Sequence, residues 1–167
     1  MIQLNNKTGY SFFYSALKCS DLVNISLESK SSYVAINDIR NMFGYLELEK
    51  LASKHNLTPL YLVEFIVLYM DNDLTFSLLC NNLKGYKNLC NLSKLISSFK
   101  LKKINLDELY SFLEGNTLIL NSKSVNLDII KKLENDNISY YIGLEVYNDF
   151  NRVNEIRNIA SSHAISI

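Results

Sequence analysis

Hydrophobic and polar positions along the chain fall into blocks that predict a succession of strands and helices. Residues 33–36 form a short apolar, partly β-branched run, typical of a strand buried on both faces, and this run stops at Asn37. Two longer apolar runs, residues 60–69 and 74–80, flank an acidic turn at 71–73 and therefore predict a hairpin. The other predicted strands cover residues 2–4, 117–120, 139–146 and 164–167.

Apolar residues spaced three and four positions apart predict the helices between these strands. Ser20 can cap a first helix that runs to about Lys30. A second helix, over residues 42–56, ends before Pro59, because the residue before a proline avoids the helical region. A third helix begins after Gly85. The remaining predicted helices are residues 106–113, capped by Asn105 and ended by Gly115, and residues 126–134 and 150–160.

This alternation of strands and helices predicts an α/β fold with a mainly parallel sheet and crossover helices. At 167 residues the chain fits one domain, residues 1–167, with enough interior for a sizeable core. It stops inside an apolar run, with no cap or polar tail after Ile167. We therefore expect an N-terminal fragment of a larger protein, because a natural chain seldom leaves a buried strand without partners.

Charge and composition narrow the classes of function. Lys and Arg number 17, as do Asp and Glu, so no global field attracts nucleic acid to this chain. The N-terminus lacks the basic flank and apolar core of a signal peptide, and no apolar run is long enough to span a bilayer. Cys19, Cys80 and Cys90 are odd in number and irregularly spaced, which predicts free thiols in a reducing cytoplasm.

Two carboxylates are the candidates for site chemistry. Asp38 comes at the predicted carboxyl end of the strand 33–36, and polar side chains there face the functional rim of α/β folds. The same residue can instead cap a turn or a helix. Glu64 lies inside an apolar strand, where a buried carboxylate needs a partner, and Lys7 or Arg40 can supply it.

Other familiar catalytic arrangements are absent from the sequence. His55, near a helix end, and His163, ahead of the last predicted strand, are the two histidines, so no Ser-His-Asp or Cys-His constellation can be recognised. Gly85 has no glycine-rich phosphate loop around it. The many tyrosines can stack nucleobases, but aromatic residues without interleaved Lys or Arg are more typical of a core.

Several short motifs occur in a recognisable order. They read G-Y-S-F-F at residues 9–13, A-I-N-D-I-R-N-M-F-G at 35–44, T-P-L at 58–60, N-L-K-G-Y-K-N-L at 82–89 and Y-Y-I-G-L-E at 140–145. Over nearly the whole chain they resemble the N-terminal PHP (polymerase and histidinol phosphatase) domain of the bacterial replicative DNA polymerase III alpha subunit. The pieces N-M-F-G and G-Y-K-N-L are specific in combination and weak singly.

The resemblance implies a distorted PHP-type α/β barrel, (β/α)7-like, truncated before its last strands. It implies a parent DNA-directed DNA polymerase, a nucleotidyltransferase whose palm and catalytic aspartates lie beyond Ile167. The implied partners are the remaining domains of the polymerase subunit and, in some members, a proofreading exonuclease subunit. The resemblance further implies that the domain takes part in bacterial chromosomal replication and contacts DNA only as part of the full-length protein.

The resemblance also implies a metal site, most of which this sequence does not keep. Active members carry His-x-His and Thr-Asp-His motifs, a glutamate, two later histidines and a cysteine. Of these, only Asp38 and Glu64 survive as vestigial ligand candidates, so we expect no catalytic residue, no bound metal and no cofactor in this chain. The positions where family ligands are replaced are Asn5, Lys7, Ile39, Thr75, Lys123 and Tyr147.

The resulting hypothesis is a structural and docking domain with a lost metal-hydrolase site. Lys7 places a cation where a ligand should be, and it can pair with Asp38. Two carboxylates without imidazoles would hold Mg²⁺ or Mn²⁺ weakly, through retained waters. That weak site supports one alternative, a residual metal-dependent phosphoesterase or 3'-5' proofreading exonuclease. The other alternative is a free-standing protein-interaction module of similar fold.

Overall fold

The structure is a computed structural model that describes residues 3–97, 103–144 and 150–162. Its strands are β1 (Tyr33–Ile39), β2 (Thr58–Tyr69), β3 (Asn72–Cys80), β4 (Ile104–Asn105), β5 (Asn116–Asn121) and β6 (Tyr140–Gly143). Its helices are α1 (Cys19–Glu28), α2 (Tyr45–Lys54), α3 (Leu83–Ser97), α4 (Leu106–Leu109), α5 (Leu127–Asn135) and α6 (Phe150–Ser162). Two 3-10 turns, Tyr110–Phe112 and Ser122–Ser124, complete the described elements.

The strands form a mixed sheet in the order β1-β2-β3-β5-β6, with β4 paired to β2 beyond the end of β1. The ladders β1–β2, β2–β4 and β5–β6 are parallel, whereas β2–β3 and β3–β5 are antiparallel. The predicted hairpin is confirmed, since Tyr69 pairs with Asn72 at its closed end. A hairpin has no crossover helix and forces an antiparallel ladder, so the prediction of a mainly parallel sheet was too simple.

Helices and core lie on one face of this sheet, which we call the helix face. Along β2 and β3 every second side chain is fully buried, and these residues pack with the buried residues of the helices in one core cluster. The opposite side, which we call the inner face, holds mostly half-buried side chains of the same strands. Helix-face residues include Val63, Phe65, Val67, Phe76, Leu78, Leu118 and Leu120; inner-face residues include Glu64, Ile66, Thr75, Ser77 and Ile119.

The main correction to the predicted elements concerns β1. This strand continues to Ile39, so Asn37 and Asp38 lie inside it rather than after its end. The sequence pattern predicts a strand end at this polar pair, but both residues remain in the parallel ladder with β2. Their side chains bond to the amino-terminal segment and, for Asn37, also to Ser77 of β3, so their polarity does not mark the end of the strand.

Other element boundaries differ by a few residues. Residues 3–4 are not a strand, Gly85 lies within α3, and the predicted helix 106–113 divides into α4 and a 3-10 turn. Strand β6 ends at Gly143, and the predicted strand 164–167 lies outside the described residues. All three cysteines are free thiols, as predicted. In the described ranges no helix has the length and apolar character needed to cross a membrane.

Candidate functional site

The amino-terminal segment lies along the outer edge of β1 and brings its side chains to the end of the sheet. The Asn37 backbone N–H donates to the Asn6 carbonyl at 2.7 Å, and the Asn6 side chain donates to the Ala35 carbonyl at 3.2 Å. In an extended segment, residues two apart point to the same side. Asn5 and Lys7 therefore meet over the inner face, whereas Thr8 reaches the helix face.

Five polar side chains form what we call the inner-face cluster. The Lys7 ammonium lies 2.9 Å from Glu64 Oε2 and donates to Asn5 Oδ1 at 2.6 Å. The Asn37 amide donates to Asn5 Oδ1 at 3.1 Å and to Ser77 Oγ at 3.0 Å. The cluster is thus one connected network that runs from the amino-terminal segment across β1, β2 and β3.

The Lys7–Glu64 ion pair is mostly withdrawn from solvent. Their side chains are 16% and 12% exposed, so water screens their attraction much less than it screens a surface pair. Each charge is costly to bury alone, and the pair with its Asn5 hydrogen bond compensates that cost. Of the two predicted partners of Glu64, Lys7 and Arg40, the ion pair forms with Lys7, whereas the prediction that Lys7 pairs with Asp38 was wrong.

Asp38 belongs to a second network, which we call the Asp38 clamp. Its fully buried carboxylate accepts hydrogen bonds from the Thr8 backbone N–H, the Thr8 hydroxyl and the Ser11 hydroxyl, each at 2.7 Å. Ser11 Oγ in turn accepts from the Ile39 N–H at 2.9 Å. Asp38 therefore fixes a distant turn, since Ser11 N–H also donates to the Thr8 carbonyl. It caps neither a helix nor its own turn.

The two carboxylates lie on opposite faces of the sheet. Asp38 is in register with Val63, a helix-face residue of the core, whereas Ile39 is in register with Glu64. Neighbouring residues of a strand point to opposite sides, so Asp38 and Glu64 cannot converge on one cation. The structure therefore does not bring together the two vestigial ligand candidates.

The other positions at which the resemblance places family ligands are Ile39, Thr75, Lys123 and Tyr147, and none of them is a His, Cys, Asp or Glu residue. Ile39 is aliphatic and half-buried; Thr75 lies on the inner face, with its backbone N–H donating to Ser124 Oγ at 2.6 Å. Lys123 is exposed in the second 3-10 turn, and Tyr147 lies outside the described residues. Within the described ranges, no three His, Cys, Asp or Glu side chains are grouped to hold a metal ion.

The two histidines stand apart from this region. His55 is the C-cap of α2 and is exposed, in agreement with its predicted place near a helix end. His163 lies outside the described residues. Arg40, the other suggested partner of Glu64, meets it through the backbone: the Arg40 N–H donates to the Glu64 carbonyl at 2.8 Å.

Sequence reasoning missed an exposed group of aromatic residues beside the Asp38 clamp. We call it the aromatic face, and it consists of Tyr10, Phe12, Phe13, Tyr14 and Phe43. Composition favoured a core position for such residues, but Phe12, Tyr14 and Phe43 are about 70% exposed and Phe13 is fully exposed. The available signal was their density, since four of the five residues 10–14 are aromatic.

A cavity of about 440 Å³ opens beside the aromatic face. Tyr10 and Phe43 meet edge to face, with ring centroids 6.3 Å apart. The Tyr10 hydroxyl donates to Glu47 Oε2 at 3.1 Å, and this hydrogen bond raises the Tyr10 pKa above its ordinary value. Besides the aromatic face, the cavity is lined by Ser11, Ile39, Arg40, Asn41, Ile96 and Ser97.

A family model for the PHP domain matches residues 3–125 of this chain. That range includes the inner-face cluster, the Asp38 clamp and the aromatic face. It ends at the residue just before the N-cap of α5. All the site geometry described above therefore lies inside the matched segment.

Curated relatives are DNA polymerase III alpha subunits. The subunit of Streptococcus pyogenes serotype M3 is 27% identical over 157 residues, which cover 94% of this chain and 14% of the relative. That of Ureaplasma parvum is 32% identical over 123 residues, covering 72% of this chain and 12% of the relative. The chain thus spans about 14% of the length of the relatives that it matches most fully.

Solved structures with a similar fold support the same architecture. A candidate metal-dependent phosphoesterase from Bifidobacterium adolescentis superposes with a TM-score of 0.69 at 13% identity, covering 97% of this chain and 83% of the other. An amidohydrolase from Chromobacterium violaceum, solved with sulfate and no metal, gives 0.67 at 10% identity, covering 98% and 84%. These likenesses confirm the predicted PHP-type α/β fold.

Proposed function

We propose the function of this chain from the premise that it belongs to the PHP domain family. The chain is the N-terminal structural and docking domain of a bacterial DNA polymerase III alpha subunit, and it acts in chromosomal replication in the cytoplasm. The match of 94% of the chain to 14% of a polymerase subunit supports this role. The polymerase chemistry itself belongs to the rest of the subunit.

One observation carries the proposal that the domain performs no hydrolysis. The Lys7 ammonium occupies the inner face at 2.9 Å from Glu64 Oε2, where the resemblance places a metal ligand. A cationic side chain cannot coordinate a metal ion, and it already supplies the positive charge that Glu64 requires. The residues present therefore do not fit a two- or three-metal centre, which needs several imidazole and carboxylate donors.

The remaining partners follow from this structural role. The domain packs against the other domains of the polymerase subunit, and a proofreading exonuclease subunit is a further partner by analogy with the family. DNA is reached through the full-length protein, because this chain has no net charge to hold a phosphate backbone. The buried Asp38 clamp fixes Thr8 and Ser11, which lowers the ordering cost of binding at the surface beside them.

Two assays on the full-length product of the gene test the proposal. Primer extension on a primed template is expected to be active. Hydrolysis of a phosphodiester substrate in Mn²⁺ or Zn²⁺ is expected to stay at the level of a Lys7→Met variant, because the domain adds no hydrolytic centre of its own. Methionine replaces the unbranched aliphatic stem of lysine but lacks the ammonium.

Either assay can contradict the proposal. A gene product that fails to extend primers is not a polymerase subunit. Phosphodiester hydrolysis that is lost in an Asp38→Asn or Glu64→Gln variant, while primer extension persists, would restore the phosphoesterase or exonuclease alternative. A small free-standing gene product that is inactive in both assays would favour the interaction-module alternative.

A further inference from the structure

The aromatic face exposes more apolar surface than a solvated loop needs. Phe13 is fully exposed, and Phe12 and Phe43 are 71% and 68% exposed. Scattered apolar residues are ordinary on surfaces, but a contiguous aromatic group marks a binding surface. Two exposed leucines lie close to this group in the sequence. Leu17 follows Tyr14 by three residues, and Leu46, in the first turn of α2, follows Phe43 by three residues.

Hydrogen bonds fix the start of the loop that carries Tyr10, Phe12, Phe13 and Tyr14 of the aromatic face. Asp38 binds Thr8 and Ser11, and the Tyr14 N–H donates to the Ser11 carbonyl at 3.0 Å. Phe13 has a φ of 68°, the left-handed region that costs a bulky residue energy. The buried Asp38 carboxylate thus helps to hold Phe13 in a strained backbone conformation that exposes its side chain. Because this loop is already ordered, binding a partner costs less conformational entropy.

Among the described residues that line the cavity beside the aromatic face, Arg40 is the one with a charged side chain. Arg40 is half-buried and also has a positive φ, 58°. Its carbonyl accepts from the hydroxyls of Ser93 and Ser97, each at 3.2 Å, which fixes the backbone. Among the ion pairs of the described residues, none involves the Arg40 guanidinium. The cavity therefore combines an apolar wall with one unneutralised cation.

We propose that the aromatic face and its cavity bind a peptide segment of a partner protein that carries an Asp or Glu beside large apolar side chains. The apolar side chains pack on Phe12, Phe13 and Phe43, and the carboxylate pairs with Arg40. Aromatic residues and arginine are the side chains that contribute most to protein interfaces. The inference rests on the docking role proposed above, and it names the surface through which that role is exercised.

Charge decides between this occupant and the alternatives. A nucleic-acid strand needs several Lys or Arg side chains along its phosphates, whereas the described part of the cavity lining offers one. A second copy of the chain would place two Arg40 side chains on one interface if this face met itself across a two-fold axis. An acidic, apolar peptide satisfies both the aromatic wall and the cation.

The test is a selection of displayed random peptides of about ten residues on the immobilised full-length gene product. Enriched peptides are expected to carry an acidic residue beside aromatic or aliphatic ones. Their affinity is expected to fall at least about tenfold in Phe13→Ser and in Arg40→Gln. We expect both variants to keep the fold, because the Phe13 side chain is fully exposed and the backbone hydrogen bonds of Arg40 do not depend on its side chain. An Asp38→Asn variant is expected to weaken binding through the loop.

Matched controls are Leu127→Ser and Arg157→Gln, which alter an exposed leucine and an exposed arginine elsewhere and should leave affinity unchanged. Four results would each overturn the proposal: no enrichment, enriched peptides without acidic residues, equal binding by the variants, or a Phe13-dependent complex with oligo-dT or with a second copy. A failed primer-extension assay leaves this selection unaffected, so the two proposals fail separately.

Discussion

A single lysine decides the electrostatics of the inner face. The Lys7 ammonium contacts Glu64 and Asn5, and Asn37 completes the network. An internal ammonium gives the carboxylate a permanent counter-ion, so the cluster stays neutral without any bound cation. The pocket architecture is therefore kept by hydrogen bonds and one ion pair.

Replacing Lys7 with methionine is expected to lower the free energy of unfolding by about 1–3 kcal/mol, because Glu64 would remain buried without its cation. The double variant Lys7→Met/Glu64→Gln should recover part of that loss. Urea denaturation measures both. The matched control is Lys84→Met at the exposed Lys84–Glu114 pair, expected to cost less than about 0.5 kcal/mol. Equal costs at the two lysines would show that the inner-face pair is no stronger than a surface one.

Part of this residue-scale picture could be predicted and part could not. A carboxylate inside an apolar run requires a partner, so burial predicted a cation beside Glu64 but left Lys7 and Arg40 as equal candidates. The position of Asp38 did not follow, because its face depends on whether β1 ends at residue 36 or continues to Ile39. Thr8 and Ser11 carried no signal of their own, since hydroxyl residues in a loop ordinarily bond to their own backbone.

At the scale of elements, helix α3 is placed by a close approach of two backbones. An added Cβ at Gly85 would lie 2.0 Å from the Gly115 carbonyl oxygen and 2.5 Å from Asn116 Oδ1. Gly115 itself has a φ of 78°, and its carbonyl accepts from the Asn81 N–H at 3.0 Å. Gly85 is therefore a packing residue between α3 and the start of β5.

Substituting Gly85 with alanine is expected to destabilise the protein by about 1–3 kcal/mol, since backbone atoms must shift to admit the methyl group. The control is Gly9→Ala, where the added Cβ has one ordinary contact, 3.8 Å from the Leu17 carbonyl. That change should be within about 0.5 kcal/mol of neutral. Thermal melting followed by circular dichroism compares the two. Similar melting temperatures for both variants would remove Gly85 from the account of α3 packing.

The elements themselves were largely predictable from periodicity. Alternating burial along β2, β3 and β5 and the apolar stripes of α2, α3 and α5 all follow the sequence pattern. The cap of α5 was also readable: the Asn126 side chain accepts from the Ile129 N–H at 2.9 Å. Strand ends were less predictable, because pairing partners rather than local composition determine where a ladder stops.

At the scale of the whole molecule, the amino-terminal segment brings two polar networks together at the carboxyl-terminal part of β1. The amino-terminal segment contributes Lys7 to the inner face and, one residue later, Thr8 to the helix face. The inner-face cluster and the Asp38 clamp are thus joined through neighbouring residues but do different work. One pairs the buried Glu64 carboxylate with the Lys7 ammonium; the other fixes the start of the loop that carries Tyr10, Phe12, Phe13 and Tyr14.

The mixed sheet and the exposed aromatic face are the whole-molecule features that local patterns did not reveal. Ladder direction depends on the connections between strands, and exposure depends on what covers a loop in three dimensions. The sequence pattern favours a core position for aromatic residues in general, and it does not single out Phe12, Phe13 and Phe43 as exposed. The resemblance fixed the family correctly, and it left the faces of Asp38 and Glu64 undetermined.

Calorimetric titration of Mn²⁺ and of Zn²⁺ into the purified protein tests the central claim most directly, since Lys7 is proposed to hold the place of the cation. The account predicts no saturable binding at ion concentrations up to about 1 mM and no change in melting temperature on adding either ion. Saturable binding of two or more ions with a Kd below about 10 μM, accompanied by a higher melting temperature, would contradict it.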